Sequence, residues 1–332
     1  MKVKDISAQF IYRLKVWSVL EYCYNTSVSK TKVIITGGAG FIGSHLVDFL
    51  VNKGFEVLII DNLSSSRKNN LNPKAFFKKL DINNVNKINK CFQEFLPDFV
   101  VHLAGMTSQS FSEKDKVHKT NVAGTVNILK ACVKNKVKKI IFASSAAVYG
   151  NSNKFPIQET QKLAPINPYG LSKTKAESKI LSYHKKYNLN YSILRYSNVY
   201  GPRQRDDSEG GVISIFCSQA KISKKATIYG NGRQTRDFIY IDDVTKINYL
   251  SIVSPKNFIA NVSTNKETNI LDLVKIIEKV CKIKLIIIYK PPKQREIKKS
   301  RLNNSLAKQK LNWVPKTKLD AGIKKTYYWR TS

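Results

Sequence analysis

From residue 32 onward, short apolar runs alternate with stretches of helical periodicity. Lys32–Thr36 (K-V-I-I-T) has the length and content of a buried strand. Phe41–Lys53 carries apolar residues at helical spacing and stops at Gly54. Phe55–Ile60 is a second apolar run and ends at Asp61. The alternation continues with a strand over Ala75–Leu80, ending at Asp81 and Ile82, a helix over Val85–Leu96 and a strand over Phe99–Leu103. A helix over Val117–Asn135 and a strand over Lys139–Ala143 follow, the latter running into Ser144 and Ser145. A helix from about Pro168 to Tyr187 and a strand over Tyr191–Arg195 close the series. Strands alternating with helices need right-handed crossovers, which predicts an α/β fold, a doubly wound parallel sheet with helices on both faces. Beyond Gly201 the pattern is irregular and richer in Pro, Gly and Arg, with helices near Val212–Lys221 and Ile270–Cys281. That predicts a smaller C-terminal α/β domain over the carboxyl ends of the strands, where open α/β sheets bind ligands.

Composition narrows the class. The 332 residues are 42% hydrophobic and 10% aromatic, as in a globular chain. No apolar run reaches the roughly 18 residues of a membrane span, so no transmembrane segment is expected. The five cysteines (Cys23, Cys91, Cys132, Cys217, Cys281) are scattered, with no C-x-x-C pair. That argues against a metal site or a disulfide framework and for a reducing, cytoplasmic setting. The net charge of +34 comes mostly from Lys spread along the chain. No basic motif with interleaved aromatics accompanies it, so it reads as a lysine-rich surface rather than a specific nucleic-acid site. Arginines are few, and those inside motifs (Arg195, Arg203, Arg236) stand out as candidate phosphate contacts. Residues 1–31 form an N-terminal extension. Within it Phe10–Tyr24 is apolar but interrupted by Arg13, Lys15 and Glu21, which suits a surface or oligomer-contact helix better than a signal peptide. An interfacial membrane helix is the alternative there.

Between the first strand and first helix stands T-G-G-A-G-F-I-G (Thr36–Gly43). Gly37 permits a tight turn, Gly40 lets backbone approach a pyrophosphate, and Gly43 lets the helix pack on the sheet. The N–H groups of Phe41, Ile42 and Gly43 at the helix N-terminus would face the phosphates. Asp61, at the end of the second strand, can accept hydrogen bonds from both ribose hydroxyls and would repel a 2′-phosphate, which selects NAD over NADP. The whole reads as a Rossmann dinucleotide-binding domain over 32–200, with returning segments from about 212–250, and a second ligand-binding domain over 201–332.

A second constellation lies in N-P-Y-G-L-S-K. Asn167 is a plausible N-cap and Pro168 an N1 residue, so Tyr169 and Lys173 fall one turn apart on one helix face. An ammonium near the phenol, and an oxidised nicotinamide, favour the phenolate, which suits Tyr169 to take a proton from a hydroxyl.

Six motifs occur in order: T-G-G-A-G-F-I-G, D-N-L-S-S-S, S-S-A-A-V-Y-G, N-P-Y-G-L-S-K, R-Y-S-N-V-Y-G-P-R-Q and I-Y-G-N-G-R-Q-T-R-D-F-I-Y-I-D-D-V. Over about residues 32–328 the chain resembles the extended short-chain dehydrogenase/reductases, specifically the UDP-glucose 4-epimerase-like branch. The resemblance implies NAD-dependent 4-epimerisation of a UDP-hexose in a homodimer, with residues 201–332 as the sugar-nucleotide domain. It implies Tyr169 as base on the 4-hydroxyl, Lys173 as holder of the nicotinamide ribose, and Ser145 as hydrogen-bond partner of the sugar oxygen. By the same matching, Asp61 and Asn62 hold the adenosine ribose, Asp81 and Ile82 the adenine, and Asn121 lies near the cofactor. Asn198 and Arg236 meet the sugar-nucleotide diphosphate.

The chain also departs from the pattern. The segment between His102 and Asn121 is about two residues shorter than usual and lacks an Asp-Pro. P-P-K-Q-R-E (Pro291–Glu296) replaces P-P-R-P-G-E, so Lys293 stands where a phosphate-binding Arg is expected and Arg295 replaces a glycine. Ser300 falls where the family has a gate beside the sugar C2 substituent, and a serine there leaves room for an acetamido group. Ala146 and Ala147 offer neither acid nor base, against a 4,6-dehydratase or a nucleotide-glucuronate decarboxylase. These and a UDP-glucuronate epimerase are the rivals on the same fold; a non-catalytic NAD-binding or nucleic-acid-binding protein is the rival of another class.

Overall fold

Lys32–Thr36 folds as β1, buried throughout after its first residue, and leads through the glycine turn into α1 (Phe41–Asn52) and β2 (Glu56–Asp61). The computed structural model describes residues 30–207, 210–292 and 296–330. The segment Phe10–Tyr24 and positions Lys293 and Arg295 lie outside the described residues. β3 (Phe76–Lys79), α2 (Val85–Phe95) and β4 (Phe99–His102) follow.

The single helix expected over Val117–Asn135 is a composite. α3 (Lys114–His118) passes into a π-helical turn (Lys119–Ala123) before α4 (Gly124–Lys134). The wide turn carries Asn121, whose side chain is bound into the neighbouring loop and helix. π-turns of this kind concentrate at functional sites. β5 (Lys139–Ser145) then runs into a short 3₁₀ turn (Ala146–Tyr149). α5 (Pro168–Tyr187) starts where its sequence signals place it: the Asn167 side chain accepts the Gly170 N–H at 2.8 Å, and Pro168 needs no partner at N1. β6 (Asn190–Tyr196) and β7 (Asn198–Tyr200) complete this half.

The remainder contains α6 (Val212–Ile222), β8 (Lys225–Tyr229), β9 (Thr235–Arg236), β10 (Phe238–Tyr240) and α7 (Ile241–Val253). After these come β11 (Phe258–Val262), β12 (Thr268–Asn269), α8 (Ile270–Cys281), β13 (Ile286–Lys290), α9 (Ser305–Leu311) and α10 (Leu319–Trp329).

The main sheet has seven strands in the order β11-β6-β5-β4-β1-β2-β3. All its pairs are parallel. Both faces are covered, which explains why its strands read as unbroken apolar runs. On one face Ile34, Leu58, Val100 and Ile140 pack with Ile88 and Phe92 of α2, Ile128 of α4 and Ile180 of α5. On the other, Val33, Ile35, Ile59 and Val101 pack with Leu46 and Leu50 of α1 and Ile247 of α7, and this core continues to Trp313 and Ile323. Strand order reverses between β1 and β4, and the crevice at such a reversal is where doubly wound sheets bind ligands.

At the turn into α1, backbone packs on backbone. A Cβ on Gly43 would stand 2.2 Å from the Gly37 carbonyl oxygen and 2.7 Å from the Gly38 Cα. Neither atom can yield without shifting the turn or the helix. Gly43→Ala is therefore expected to lower stability by at least about 2 kcal/mol, read from the urea unfolding midpoint. A wild-type midpoint would show that the turn accommodates the methyl group.

Candidate active site

A cavity of about 840 Å³ opens at the carboxyl ends of β1, β2 and β4. The glycine turn forms its floor, with Gly37, Gly40, Phe41, Ile42 and Gly43 in the wall. Gly37 adopts φ +71°, and a Cβ there would meet the Ala104 backbone nitrogen at 2.7 Å. No side chain caps α1, so its first amides are offered to the cavity. This bare backbone cradle suits a pyrophosphate, and a dinucleotide fits the cavity that continues from it.

Asp61 and Asn62, Asp81 and Ile82 line the same cavity. Asp61 is 5% exposed. Its Oδ2 accepts the Ala39 N–H at 3.1 Å, and its Oδ1 accepts Leu63 N–H and Ser66 Oγ–H, each at 2.8 Å. These bonds fix the carboxylate while leaving lone pairs for a further donor. Asn62 Nδ2 donates to Asp81 Oδ2 at 3.1 Å. Burial pushes the Asp81 carboxyl up, but hydrogen bonds from Asn83 and Asn62 and the Lys119 charge outweigh it and hold the pKa below the ordinary value.

Tyr169 and Lys173 stand on one face of α5 and line the cavity. Tyr169 is half-buried, and its hydroxyl is hydrogen-bonded to the Ser145 side chain just behind the wall. Lys173 Nζ donates to the Ala143 carbonyl at 2.8 Å and sits 5.8 Å from the Tyr169 ring centroid. Burial lowers its pKa to about 8, with the Glu177 charge acting in the opposite direction. One expectation is corrected here. Burial raises the Tyr169 pKa, and the group that opposes burial is Ser145, by its hydrogen bond, rather than the Lys173 ammonium.

Asn121 is buried behind the wall. Its Oδ1 accepts the Met106 N–H at 2.8 Å, and its Nδ2 donates to the Met106 carbonyl and to Ser172 Oγ, both at 2.9 Å. Ser172 Oγ in turn donates to the Tyr169 carbonyl at 2.7 Å. A second polar chain meets the same turn. Thr36 and His102 are register partners on β1 and β4, with Thr36 Oγ1 2.6 Å from His102 Nδ1. His102 Nε2 lies 3.0 Å from Thr125 Oγ1, which donates to the Asn121 carbonyl at 2.6 Å. Because Thr125 gives its proton to Asn121, it accepts from Nε2–H, which assigns the neutral tautomer with Nδ1 accepting from Thr36. Burial, reinforced by the Lys173 charge, lowers the His102 pKa to about 3. Sequence reasoning missed this chain; its signal was a Thr and a His at the ends of otherwise apolar strands.

Of the prominent arginines, Arg203 lines the cavity and pairs with Asp48 Oδ2 at 2.8 Å. Arg195 is no phosphate ligand: it is buried in an ion pair with Glu177 at 2.7 Å. Arg236 pairs with Glu296 at 2.8 Å; burial lowers its pKa and Glu296 opposes that. Arg236, Asn198 and Ser300 lie outside the cavity wall, and Arg236 immediately precedes Asp237 in the chain. The Asp237 carbonyl accepts the Asn198 N–H at 2.9 Å. Its Oδ1 accepts Thr264 N–H at 2.9 Å and Thr264 Oγ1–H at 2.7 Å, while Oδ2 accepts Leu302 N–H at 3.4 Å. Ser300 is buried in the segment that Lys298 and Arg301 anchor, their carbonyls accepting Thr235 N–H at 3.0 Å and Ile157 N–H at 2.9 Å. Asp237 stands next to Arg236 in the motif, yet only the arginine was singled out from sequence.

A dinucleotide cradle with Tyr169 and Lys173 in its wall and Ser145 just behind defines the class as an extended short-chain dehydrogenase/reductase. Residues 33–265 match the NAD dependent epimerase/dehydratase family, and the chain belongs to it. A putative UDP-glucose 4-epimerase of Methanocaldococcus jannaschii is 42% identical, over 90% of this chain and 97% of that protein. The crystal structure of a Thermotoga maritima UDP-glucose 4-epimerase with UDP-glucose matches at TM-score 0.89 and 38% identity, over 91% of this chain and 99% of that one. A Methanobrevibacter ruminantium UDP-N-acetylglucosamine 4-epimerase, in complex with UDP-N-acetylmuramic acid, matches at TM-score 0.87 and 35% identity, over 91% and 98% of the two chains.

Asp237 makes a pH-dependent contribution whose sign is fixed. Burial, opposed by its hydrogen bonds, raises its pKa from 3.8 to about 6 in the folded protein. Its stabilising contribution is therefore full below about pH 4 and is lost as pH rises through about 6, a change on the order of 2–3 kcal/mol. Asp237→Asn mimics the protonated acid. The stability of this variant relative to wild type is expected to rise by that amount between about pH 4 and pH 7 in urea titrations. A constant difference would show that Asp237 is not raised.

Proposed function

We propose that the protein interconverts 4-epimers of a UDP-hexose, with NAD in the cavity: UDP-glucose with UDP-galactose, and the corresponding N-acetylated pair. The observation that carries this reading is Tyr169 and Lys173 together in the wall of a dinucleotide cradle, with Ser145 against the Tyr169 hydroxyl. Asp61 and Asn62 would hold the adenosine ribose, Asp81 and Ile82 the adenine, and Lys173 the nicotinamide ribose. Asn121 acts indirectly, by fixing Met106 in the wall and Ser172 on α5. Bound NAD supplies reversible hydride transfer at the sugar C4. Tyr169 Oη takes the proton from the 4-hydroxyl and returns it after the 4-keto sugar has turned over. Ser145 orients that oxygen through its hydroxyl. Burial raises the Tyr169 pKa in the free protein; the positive charge of bound NAD would favour the phenolate, the form of Tyr169 that can take the sugar proton.

Ala146 and Ala147, in the 3₁₀ turn after Ser145, favour epimerisation over dehydration or decarboxylation. Neither supplies an acid or base at C5 or C6. Asn198 and Arg236 would meet the diphosphate, and Arg236 must then exchange Glu296 for phosphate oxygens. A panel of UDP-hexoses and UDP-N-acetylhexosamines, with 4-epimers separated chromatographically, tests the assignment. A 4-keto-6-deoxy sugar or CO₂ as main product would overturn it.

Two substitutions probe the site. Tyr169→Phe keeps the ring and removes the proton acceptor, so turnover should fall by about 10²–10⁴-fold while NAD stays bound. Near-normal turnover would place the base elsewhere. Ser300→Tyr fills the space allotted to an acetamido group. Overpacking costs about 1–3 kcal/mol, so kcat/KM for the N-acetylated sugar should drop roughly 5- to 150-fold, with UDP-glucose spared. An equal loss on both substrates would show that Ser300 is not the gate.

A further inference from the structure

α5 offers three residues, one turn apart, to three consecutive residues at the end of β5. Tyr169 is hydrogen-bonded to the Ser145 side chain, Lys173 Nζ donates to the Ala143 carbonyl, and Glu177 Oε1 accepts from Ser144 Oγ. Lys173 is 4% and Glu177 2% exposed. Arg195 grips Glu177 from β6, Nε to Oε1 at 3.0 Å and Nη2 to Oε2 at 2.7 Å. The remaining Arg195 donor, Nη1, binds Tyr149 Oη at 2.9 Å and the Glu159 carbonyl at 3.0 Å. We propose that Glu177 is a positioning residue: its carboxylate, clamped by Ser144 and Arg195 one helical turn below Lys173, holds that lysine on the cavity wall as an ammonium.

Lys173 is a buried cation with few partners. The Ala143 carbonyl is one acceptor for three ammonium protons. Burial already draws Lys173 down to about 8, and the Glu177 charge is what pushes it back. Without Glu177, much of the lysine would be neutral near pH 7, and a neutral amine holds a ribose hydroxyl less firmly.

The other titratable groups around Lys173 do not blur this reading. His102 on β4, across Phe142, is neutral, with a pKa near 3. Burial raises Tyr149, in the 3₁₀ turn, to about 12 despite Arg195, and raises Tyr196 on β6 further. Burial also raises Tyr169 on α5 itself. Glu159 reaches the site through its carbonyl on Arg195 and places its carboxylate on the Asn261 N–H at 2.8 Å. Arg195 is a fixed charge: burial lowers its pKa, but the Glu177 bonds more than reverse that. Over the neutral range Lys173 is therefore the group on this wall that titrates, and Glu177 sets where.

The proposal deepens the assignment of Tyr169 and Lys173 as the reacting pair, but its test needs no turnover. Cofactor-free protein is pulsed with acetic anhydride from about pH 6 to about pH 10, and labelling of the Lys173 peptide is read by mass spectrometry. Wild-type labelling should be half-maximal near pH 8. In Glu177→Gln the midpoint should fall by about one unit or more. Glu177→Asp keeps the charge but draws it back from Lys173 by one methylene, and should lower the midpoint by a smaller, still measurable amount. A folded Glu177→Gln that labels at the wild-type pH overturns the proposal. If circular dichroism shows Glu177→Gln unfolded, Glu177→Asp decides: a lower midpoint supports the proposal and a wild-type midpoint overturns it. Absence of UDP-hexose turnover by the wild type would count against the epimerase assignment while leaving the labelling result intact.

Discussion

The structure depends on a contact between backbones at the end of β1. Gly43 on α1 rests on the carbonyl of Gly37, and Gly37 rests on the Ala104 backbone after β4. No side chain fits at either place. The contact sets the distance of α1 from the sheet, leaves its first amides without a side-chain cap, and draws the β4 loop beside them. The cavity is the space that this closeness leaves at the strand-order reversal. Asp61 closes its far side because β2 stops in register with β1, where the Ala39 amide can bind the carboxylate.

Two polar chains cross an otherwise apolar interior near the same lysine. One runs from Thr36 through His102 and Thr125 to Asn121; the other runs from Ser144 through Glu177 to Arg195 and Tyr149. Apolar residues of similar volume would often be as stable at such places. Their value here is directional. A hydrogen bond fixes the angle and height of one element against another, whereas apolar packing tolerates sliding. Both chains reach α5, the first through Ser172, which Asn121 binds, and the second through Glu177, so the helix that carries Tyr169 and Lys173 is held against both the π-turn and β5.

Much of this was legible in sequence because its causes are local. Asn167 and Pro168 start α5 wherever tertiary packing puts it, and the glycines between strand and helix announce a close backbone approach. What was illegible has causes far along the chain. The π-turn at Asn121 hides inside a continuous helical pattern, because the partners of the Asn121 side chain, Met106 and Ser172, lie elsewhere along the chain. Arg195 resembles a phosphate contact until Glu177 is seen on the neighbouring helix. The Tyr169 pKa was misjudged because spacing reveals an ammonium one turn away but not the burial of the hydroxyl or the hydrogen bond from Ser145. Asp237 was passed over beside Arg236, since nothing in its motif shows that Thr264 and Leu302 converge on it.

The edge strand β11 pairs with β6, although β7, α6 and the short strands around Arg236 intervene in the chain. During synthesis the sheet therefore waits with an open edge until Phe258–Val262 emerges. An unpaired parallel edge is prone to wrong association, and long-range pairing is slow. The segments bearing Asn198, Arg236 and Asp237 lie inside that loop, so they are already made when β11 closes the sheet. A truncated chain ending before residue 258 would thus lack more than part of a substrate pocket: it would keep a sticky, unfinished edge. The sheet that frames the nucleotide cavity is finished by a strand encoded after Arg236 and Asp237.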